Sequence, residues 1–198
     1  MAELLSYAET QKLLDDLGKT QQKLVSETIP SQISVGGVQR VLQNLLKEQV
    51  SIRDLSTIIE AISEASRTTT NIGAISEYVR TRLARQISHA NTTEGGYIPI
   101  IAMSAGLEQT FVESIVGGGG NGEDRNLSLA PSRIQEFITT VRTVFDKAAM
   151  SGESPVLLTS PAIRPFVRSI IERFRPSTVV MSKNEIFTKA RIKTLGQI

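Results

Sequence analysis

Residues 155–182 read PVLLTSPAIRPFVRSIIERFRPSTVVMS and contain three elements in succession. Residues 155–159 form an apolar run of strand length, and residues 178–181 form a second one. A strand, a helix and a strand in this order predict a right-handed parallel crossover. We therefore expect the second half of the chain to be an α/β layer structure whose helices pack on a mostly parallel sheet. The helix is indicated by apolar residues at helical spacing, namely Ile163, Val167, Ile170, Ile171 and Phe174.

The rest of the second half adds candidate strands and one long helix. Pro131 is predicted to open the helix, because proline is favoured at the first helical position. Two short runs rich in β-branched or aromatic residues, 97–103 and 110–115, are predicted to be strands. Gly106 is predicted to form the turn between them. With the crossover, these runs predict a sheet of at least four strands. The further candidate strands are 97–103, 110–115, 127–130 and a terminal edge strand at 189–195.

The first half has the periodicity of helices. Ser6 and Glu9 have the spacing of a capping box, and Ser34 precedes a strongly amphipathic stretch. Ser51 is predicted to cap the next helix, with Asp54 in its first turn. A last helix is expected to carry its arginines on the outside. The apolar stripes are Val38, Val41, Leu42, Leu45 and Leu46, then Ile52, Leu55, Ile58, Ile59 and Ile62, then Ile75, Val79, Leu83 and Ile87.

The helical period stops at the small, polar residues 89–96, HANTTEGG, where we place a domain boundary. Residues 1–90 are predicted to form an all-helical subdomain and residues 91–198 an α/β subdomain. The fold class expected for the whole chain is therefore α+β or α/β. Residues 117–126, GGGGNGEDRN, are predicted to form a flexible loop in the second subdomain.

Composition excludes several classes of site. The chain has 198 residues with no cysteine, so disulfides, Cys-ligated zinc and thiol nucleophiles are excluded. His89 is the single histidine, which excludes any site that needs two. The start MAELLSYAET lacks the features of a signal peptide, and no apolar run is long enough to span a bilayer. We expect a cytoplasmic, soluble chain.

Charge is unevenly distributed. Residues 1–124 hold 10 basic and 15 acidic side chains, whereas residues 125–198 hold 12 basic and 5 acidic ones. The basic third leaves open a nucleic-acid-binding module as the alternative function. The helix pair 38–47 and 51–63 resembles a helix-turn-helix in outline, but 51–63 offers only Arg53 beside Asp54 and Glu60. Such a helix is repelled by phosphate, so we expect no nucleic-acid partner.

No catalytic constellation stands out, and we predict no enzyme activity and no cofactor, nucleotide or metal. The glycine run lacks the GK[ST] ending of a phosphate-binding loop. His89 has no nucleophile or carboxylate that the sequence places beside it. Acidic pairs such as Asp15 with Asp16 and Glu123 with Asp124 are unspecific as magnesium ligands. Ser160 and Pro161 with Arg164 could hold an anion, but we favour the interpretation that Ser160 and Pro161 only begin a structural helix.

Five strings of the sequence together resemble the C-terminal cytoplasmic part of the FHIPEP family of type III export-gate proteins. The similarity covers almost the whole chain in the family's order and departs mainly at 91–126. The matching elements include VQRVLQ, SIRDL, PVLLTSP followed by an arginine, and S-x-NEI. The strings are QKLLDDL (11–17), VQRVLQNLLKEQVSIRDLSTIIEAI (38–62), EYVRTRLARQI (77–87), PVLLTSPAIRPFVRSIIERF (155–174) and VVMSKNEI (179–186).

The resemblance implies a protein-export function. Family members have a membrane part and a cytoplasmic part that assembles as a nonameric ring beneath a flagellar or injectisome export channel. The ring docks chaperone–substrate complexes and the export ATPase apparatus on the cytoplasmic side of the bacterial inner membrane. This chain resembles only the last two subdomains, of which the helical one makes ring contacts. It is then a fragment of a membrane protein without direct membrane contact of its own.

Four polar residues of the helical half match the family and are expected to be exposed. We predict them as candidate subunit contacts, although ordinary solvated helix positions account for them as well. They are Gln43, Asn44, Arg53 and Arg80.

Overall fold

The computed structural model of the chain describes residues 5–117 and 125–198. These residues divide into two compact units, one that ends at Leu83 and one that begins at Ala84. Of the predicted glycine-rich loop at 117–126, residues 118–124 lie outside the described residues.

The first unit is helical, as predicted. Its core is formed by the apolar stripes of the third, fourth and fifth helices, and Val38, Ile58 and Val79 are fully buried there. The helices of the described part of this unit are α1 (Tyr7–Asp15), α2 (Lys19–Thr28), α3 (Val35–Lys47), α4 (Leu55–Ser66) and α5 (Ile72–Arg82).

Side-chain caps begin most of these helices. The predicted capping box of α1 is confirmed, since the Glu9 amide donates to Ser6 Oγ (3.2 Å) and the Ser6 amide donates to Glu9 Oε2 (2.7 Å). Ser34 caps α3 as expected. The predicted Ser51 cap is wrong, because residues 51–54 are not helical and Asp54 Oδ1 accepts the Thr57 amide (3.2 Å) at the start of α4.

The second unit is an α/β structure built on a parallel sheet. Its four strands lie in the order β5-β4-β1-β6, and every neighbouring pair is parallel. The fold class is therefore confirmed, and the predicted terminal strand lies at the sheet edge. The elements are α6 (Ala84–Ala90), β1 (Ile98–Ala102), α7 (Ala105–Glu113), β2 (Ile115–Val116), β3 (Asn126–Leu127), α8 (Pro131–Met150), β4 (Val156–Thr159), α9 (Arg164–Ile171), β5 (Val180–Ser182), a 3₁₀ turn (Lys183–Glu185) and β6 (Ile192–Gln197).

The predicted strand at 110–115 is wrong, because most of it belongs to helix α7. Ser104 caps this helix by accepting the Leu107 amide (3.3 Å), so Gly106 lies inside a helix and not in a turn. Phe111 is 1% exposed and packs edge-to-face on Phe137 of α8, with 5.2 Å between ring centres. Leu107 and Phe111 are four residues apart, a helical spacing that the β-branched neighbours obscured.

The prediction that residues 127–130 share a sheet with 155–159 and 178–181 is also wrong. Leu127 pairs antiparallel with Ile115, so β3 and β2 form a separate two-stranded sheet. The strands β4 and β5 do pair with each other, as Leu157 with Val180. The paired residues of β2 and β3 are only ten to twelve positions apart in the chain, so this is a local pairing.

Helix α6 is held by the α/β unit. Ser88 Oγ donates to the Glu185 carbonyl (2.9 Å) and accepts the Phe187 amide (2.8 Å). The division between the units therefore falls one helix earlier than the boundary that we placed near residue 90. The expected single helix from Ile75 to Ile87 is interrupted at Leu83, and His89 lies exposed on α6 instead of in a linker.

A small polar cluster connects three parts of the α/β unit. Glu153 Oε1 accepts Lys193 Nζ of β6 (3.0 Å) and the Tyr97 hydroxyl just before β1 (3.1 Å). The ammonium also lies over the Tyr97 ring, 4.9 Å from its centre. The hydrogen bond from Lys193, and secondarily that from Tyr97, lowers the pKa of Glu153, and Glu153 in turn raises the pKa of Lys193.

Glu153→Gln should lower the free energy of unfolding at neutral pH more than at acid pH. Because the pKa of Glu153 is lower in the folded state, its ionised form adds stability above about pH 4.3, and this stability is lost as the pH falls through the folded pKa. Urea unfolding at about pH 7 and about pH 3 measures the difference. The exposed Glu94 provides the control variant, Glu94→Gln. An equal loss at both pH values would show that the ionised pair contributes nothing.

Candidate subunit-contact site

The four predicted contact residues come from three elements of the helical unit. Gln43 and Asn44 lie on α3, Arg53 lies in the loop before α4, and Arg80 lies on α5. Consecutive residues of a helix point about 100° apart, so Gln43 and Asn44 face different neighbours. Arg53 is exposed, the two α3 residues are half-buried, and Arg80 is buried.

Gln43 holds the N-terminal segment against α3. Its Nε2 donates to the Leu5 carbonyl (3.0 Å), and Gln39, one turn earlier, donates to the same oxygen (2.9 Å). The amide of Gln43 is therefore already engaged within the unit, and only the remaining exposed part of its side chain is open to a neighbour.

Asn44 and Arg80 belong to a polar ladder between α3 and α5. Asn44 Nδ2 donates to Ser76 Oγ (3.1 Å), and one turn further Arg80 Nη1 pairs with Glu48 Oε2 (3.1 Å). The two rungs are four residues apart on each helix, which requires the helices to run in the same direction here.

The expectation that Arg80 is exposed is wrong. The residue is 2% exposed, and its guanidinium needs a carboxylate in this setting because an unpaired buried charge is costly. The charged end of Arg80 faces the interior of the unit, where it pairs with Glu48.

An exposed cluster that the sequence did not lead us to expect joins α4 to α5. Glu64 Oε2 accepts the Tyr78 hydroxyl (2.7 Å) and also pairs with Arg82. The hydrogen bond from Tyr78, followed by that from Arg82, lowers the pKa of Glu64. Tyr78 remains 38% exposed. The signal in the sequence was an aromatic and a basic residue four positions apart on one face of a helix.

The structure gives the candidate anion site a different role. Arg164 is 1% exposed, and its Nη1 donates to the Val180 carbonyl of β5 (3.1 Å). Helix α9 begins at Arg164 itself, so the predicted helix start at Ser160 and Pro161 is wrong. The side chain fastens α9 to the sheet, and the anion-binding interpretation of this arginine is not supported.

In residues 5–117 and 125–198, no group of three or more histidine, aspartate or glutamate side chains is placed to hold an ion. Glu123 and Asp124, one of the acidic pairs considered above, lie outside this range. Among the helices of the same described ranges, none has both the length and the apolar character that crossing a bilayer requires.

The FHIPEP family model matches residues 1–191 of the chain. The chain belongs to the FHIPEP family. Family members similar to it include the flagellar biosynthesis protein FlhA of Caulobacter vibrioides, which is 55% identical over 198 residues and all of this chain. FlhA of Bacillus subtilis is 33% identical over 99% of the chain. The chain spans 28% of the length of each of these relatives.

Solved structures of FHIPEP-like cytoplasmic domains have the same fold. The nonameric SctV-C of EPEC superimposes with a TM-score of 0.86 at 28% identity and covers all of this chain, which corresponds to 58% of that one. The C-terminal domain of InvA gives a TM-score of 0.89 at 28% identity, covering 99% of this chain and 58% of its own. A complex of Chlamydia pneumoniae CdsV and CdsO gives 0.87 at 28% identity, covering 100% and 57%.

Arg80→Ala should lower the free energy of unfolding by about 2–4 kcal/mol, because it removes packing and leaves Glu48 with less compensation for its partial burial. Arg82→Ala removes an exposed arginine two residues later on the same helix and should cost less than about 1 kcal/mol. Urea unfolding at neutral pH compares the two variants. Similar losses for both would contradict the internal role assigned to Arg80.

Proposed function

We propose that the chain is part of a ring-forming docking platform in a flagellar type III export gate. Its place would be on the cytoplasmic side of the bacterial inner membrane, and its proposed cargo is export substrates with their chaperones. The observation that carries the proposal is membership of the FHIPEP family together with a TM-score of 0.86 to a subunit of a nonameric assembly over the full chain.

The helical unit is the part that we assign to ring contacts. It offers two exposed polar features, Arg53 in the loop before α4 and the cluster of Glu64, Tyr78 and Arg82. Since its apolar stripes are buried in its own core, the exposed surface is largely polar. A small polar interface gives weak association in solution, so the isolated chain should be mainly monomeric, and attachment to a membrane part would raise the effective concentration.

Docking of other export proteins is supported by one neighbour. The CdsV protein of Chlamydia pneumoniae, 57% of which is matched by the whole of this chain, has been solved together with CdsO. We extend this to the chain as a proposal that its surfaces bind proteins of the export apparatus, including chaperone–substrate complexes and the export ATPase apparatus.

We propose no catalytic role for the chain. The carboxylate of Glu108 has a structural role, because it accepts hydrogen bonds from the Ser160 amide (2.8 Å) and from Lys183 Nζ (3.2 Å). The nucleic-acid alternative is not favoured, since α4 presents exposed Glu60 and Glu64 where a recognition helix would present basic and amide side chains.

Arg53→Glu in the full-length protein should reduce ring formation and protein secretion by roughly threefold or more, because it reverses an exposed charge at the assigned interface. Ring formation is measured by co-purification and electron microscopy of the export apparatus, and secretion by the amount of exported protein in the medium. The isolated chain should sediment mainly as a monomer with or without the substitution.

Lys19→Glu is the matched control, because Lys19 is an exposed basic residue of α2 that belongs to neither of the two exposed polar features. Unchanged rings and unchanged secretion for Arg53→Glu would remove Arg53 from the interface and leave the family assignment intact. Equal losses for both variants would indicate a general effect of charge.

A further inference from the structure

Two arginines of the α/β unit are stacked on two phenylalanine rings in a reciprocal arrangement. The guanidinium carbon of Arg142 on α8 lies 5.3 Å from the ring centre of Phe174, which follows α9. The guanidinium carbon of Arg175 lies 5.4 Å from the ring centre of Phe145, one turn after Arg142 on α8. Each element thus contributes one ring and one cation. We call Arg142, Phe145, Phe174 and Arg175 the stacked-arginine face.

The two arginines differ in what else they contact. Arg175 is used within the unit, since its Nη1 pairs with Asp146 Oδ1 (2.7 Å) and its Nε donates to Thr178 Oγ1 (3.3 Å). Arg142 is exposed, and in the described part of the chain no carboxylate lies within ion-pair distance of it. Its planar donor groups are therefore held by the Phe174 ring and open to solvent.

Stacking prepares Arg142 for binding a carboxylate. An aromatic ring covers one face of a guanidinium and leaves the N–H groups at its edge free to form two parallel hydrogen bonds to one carboxylate. Contact with the ring restricts the side chain, and this lowers the entropic cost of forming those bonds. Arginine at a partly apolar site of this kind is typical of protein interfaces.

We infer that the stacked-arginine face binds an acidic segment of a protein partner, with a partner carboxylate bound to Arg142. This rests on the proposed function, in which the chain docks other proteins of the export apparatus, and it specifies the partner's chemistry. The excess of basic side chains in residues 125–198, 12 against 5 acidic ones, favours the approach of such a segment.

The charges around the face favour a protein over a membrane or a nucleic acid. Asp146 is 60% exposed and neutralises Arg175, and the exposed Glu172 lies within 3.9 Å of Arg168. A phosphate-rich surface needs a continuous row of unpaired cations and would be repelled by these carboxylates. A protein segment with a few separated acidic residues can pair with Arg142 and place uncharged groups elsewhere.

Helix α8 supplies a control with the same charge. Lys147 is also exposed and has no ion pair among the described residues. It lies five residues after Arg142, which is about 140° around the helix. Replacing either residue changes the net charge of the chain equally, so a difference between the two variants reports position and not overall charge.

The first test uses a synthetic helical peptide with glutamates at i, i+4 spacing and its glutamine counterpart. Titration of the ¹⁵N-labelled chain at about 0.15 M salt should show saturable binding of the glutamate peptide and a shift of the Arg142 Nε–Hε signal. Arg142→Gln should weaken binding by about tenfold and Lys147→Gln by less than about twofold. Arg142→Lys should recover only part of the affinity, because lysine lacks the planar donor pair.

Three results of this titration would overturn the inference. They are the absence of saturable binding to the glutamate peptide, equal weakening by Arg142→Gln and Lys147→Gln, and Arg142-dependent binding to vesicles containing phosphatidylglycerol without binding to the peptide. The last result would assign the face to a membrane surface.

A second test uses the full-length protein in cells. Arg142→Glu should reduce secretion by about tenfold, with Lys147→Glu close to wild type. The inference would be overturned if the Arg142→Glu variant still secretes protein while deletion of the whole segment that corresponds to this chain abolishes secretion. The proposed function would then stand. Secretion that survives the deletion would overturn both.

Discussion

Parallel pairing of the central strand β1 is the constraint on which the α/β unit depends. Strand β1 pairs with β4 on one side and with β6 on the other, both in parallel. Parallel neighbours cannot be joined by tight turns. A crossover connection must instead pass over one face of the sheet from the end of one strand to the start of the other, and α8 and α9 are parts of these connections. The strands β1, β4 and β5 are buried along nearly their whole length, whereas the edge strand β6 is largely exposed.

Polar contacts within each unit determine which polar side chains remain accessible to a partner. In the helical unit, Asn44 and Arg80 are occupied by Ser76 and Glu48, and in the α/β unit Arg164 is occupied by the Val180 carbonyl. Each of these polar groups would be costly to bury alone, and each is paired. The polar groups that stay accessible are therefore a subset of those that the sequence offers.

Arg53 and Arg142, the two exposed arginines for which a binding role is proposed, lie on different kinds of surface. Arg53 is exposed in a loop of the helical unit, and among the described residues its side chain has no ion pair and no aromatic contact. Arg142 is also exposed but lies over the Phe174 ring, which limits its conformations before any partner binds. The aromatic support requires α8 and the turn after α9 to be adjacent, so this preorganised cation is a product of the packing.

The sequence by itself determined the fold class, most helices with their apolar stripes, the strands at 98–102 and 156–159, and the family. These follow from periodicity, capping residues and motif spacing, which are local properties of the chain. Only the tertiary structure decided that residues 105–113 are a helix, that β3 leaves the main sheet, and that Arg80 is buried. The partner of Arg80, Glu48, lies 32 residues away in the chain. Whether a polar side chain faces water or such a distant partner depends on how helices pack, and no local pattern specifies that.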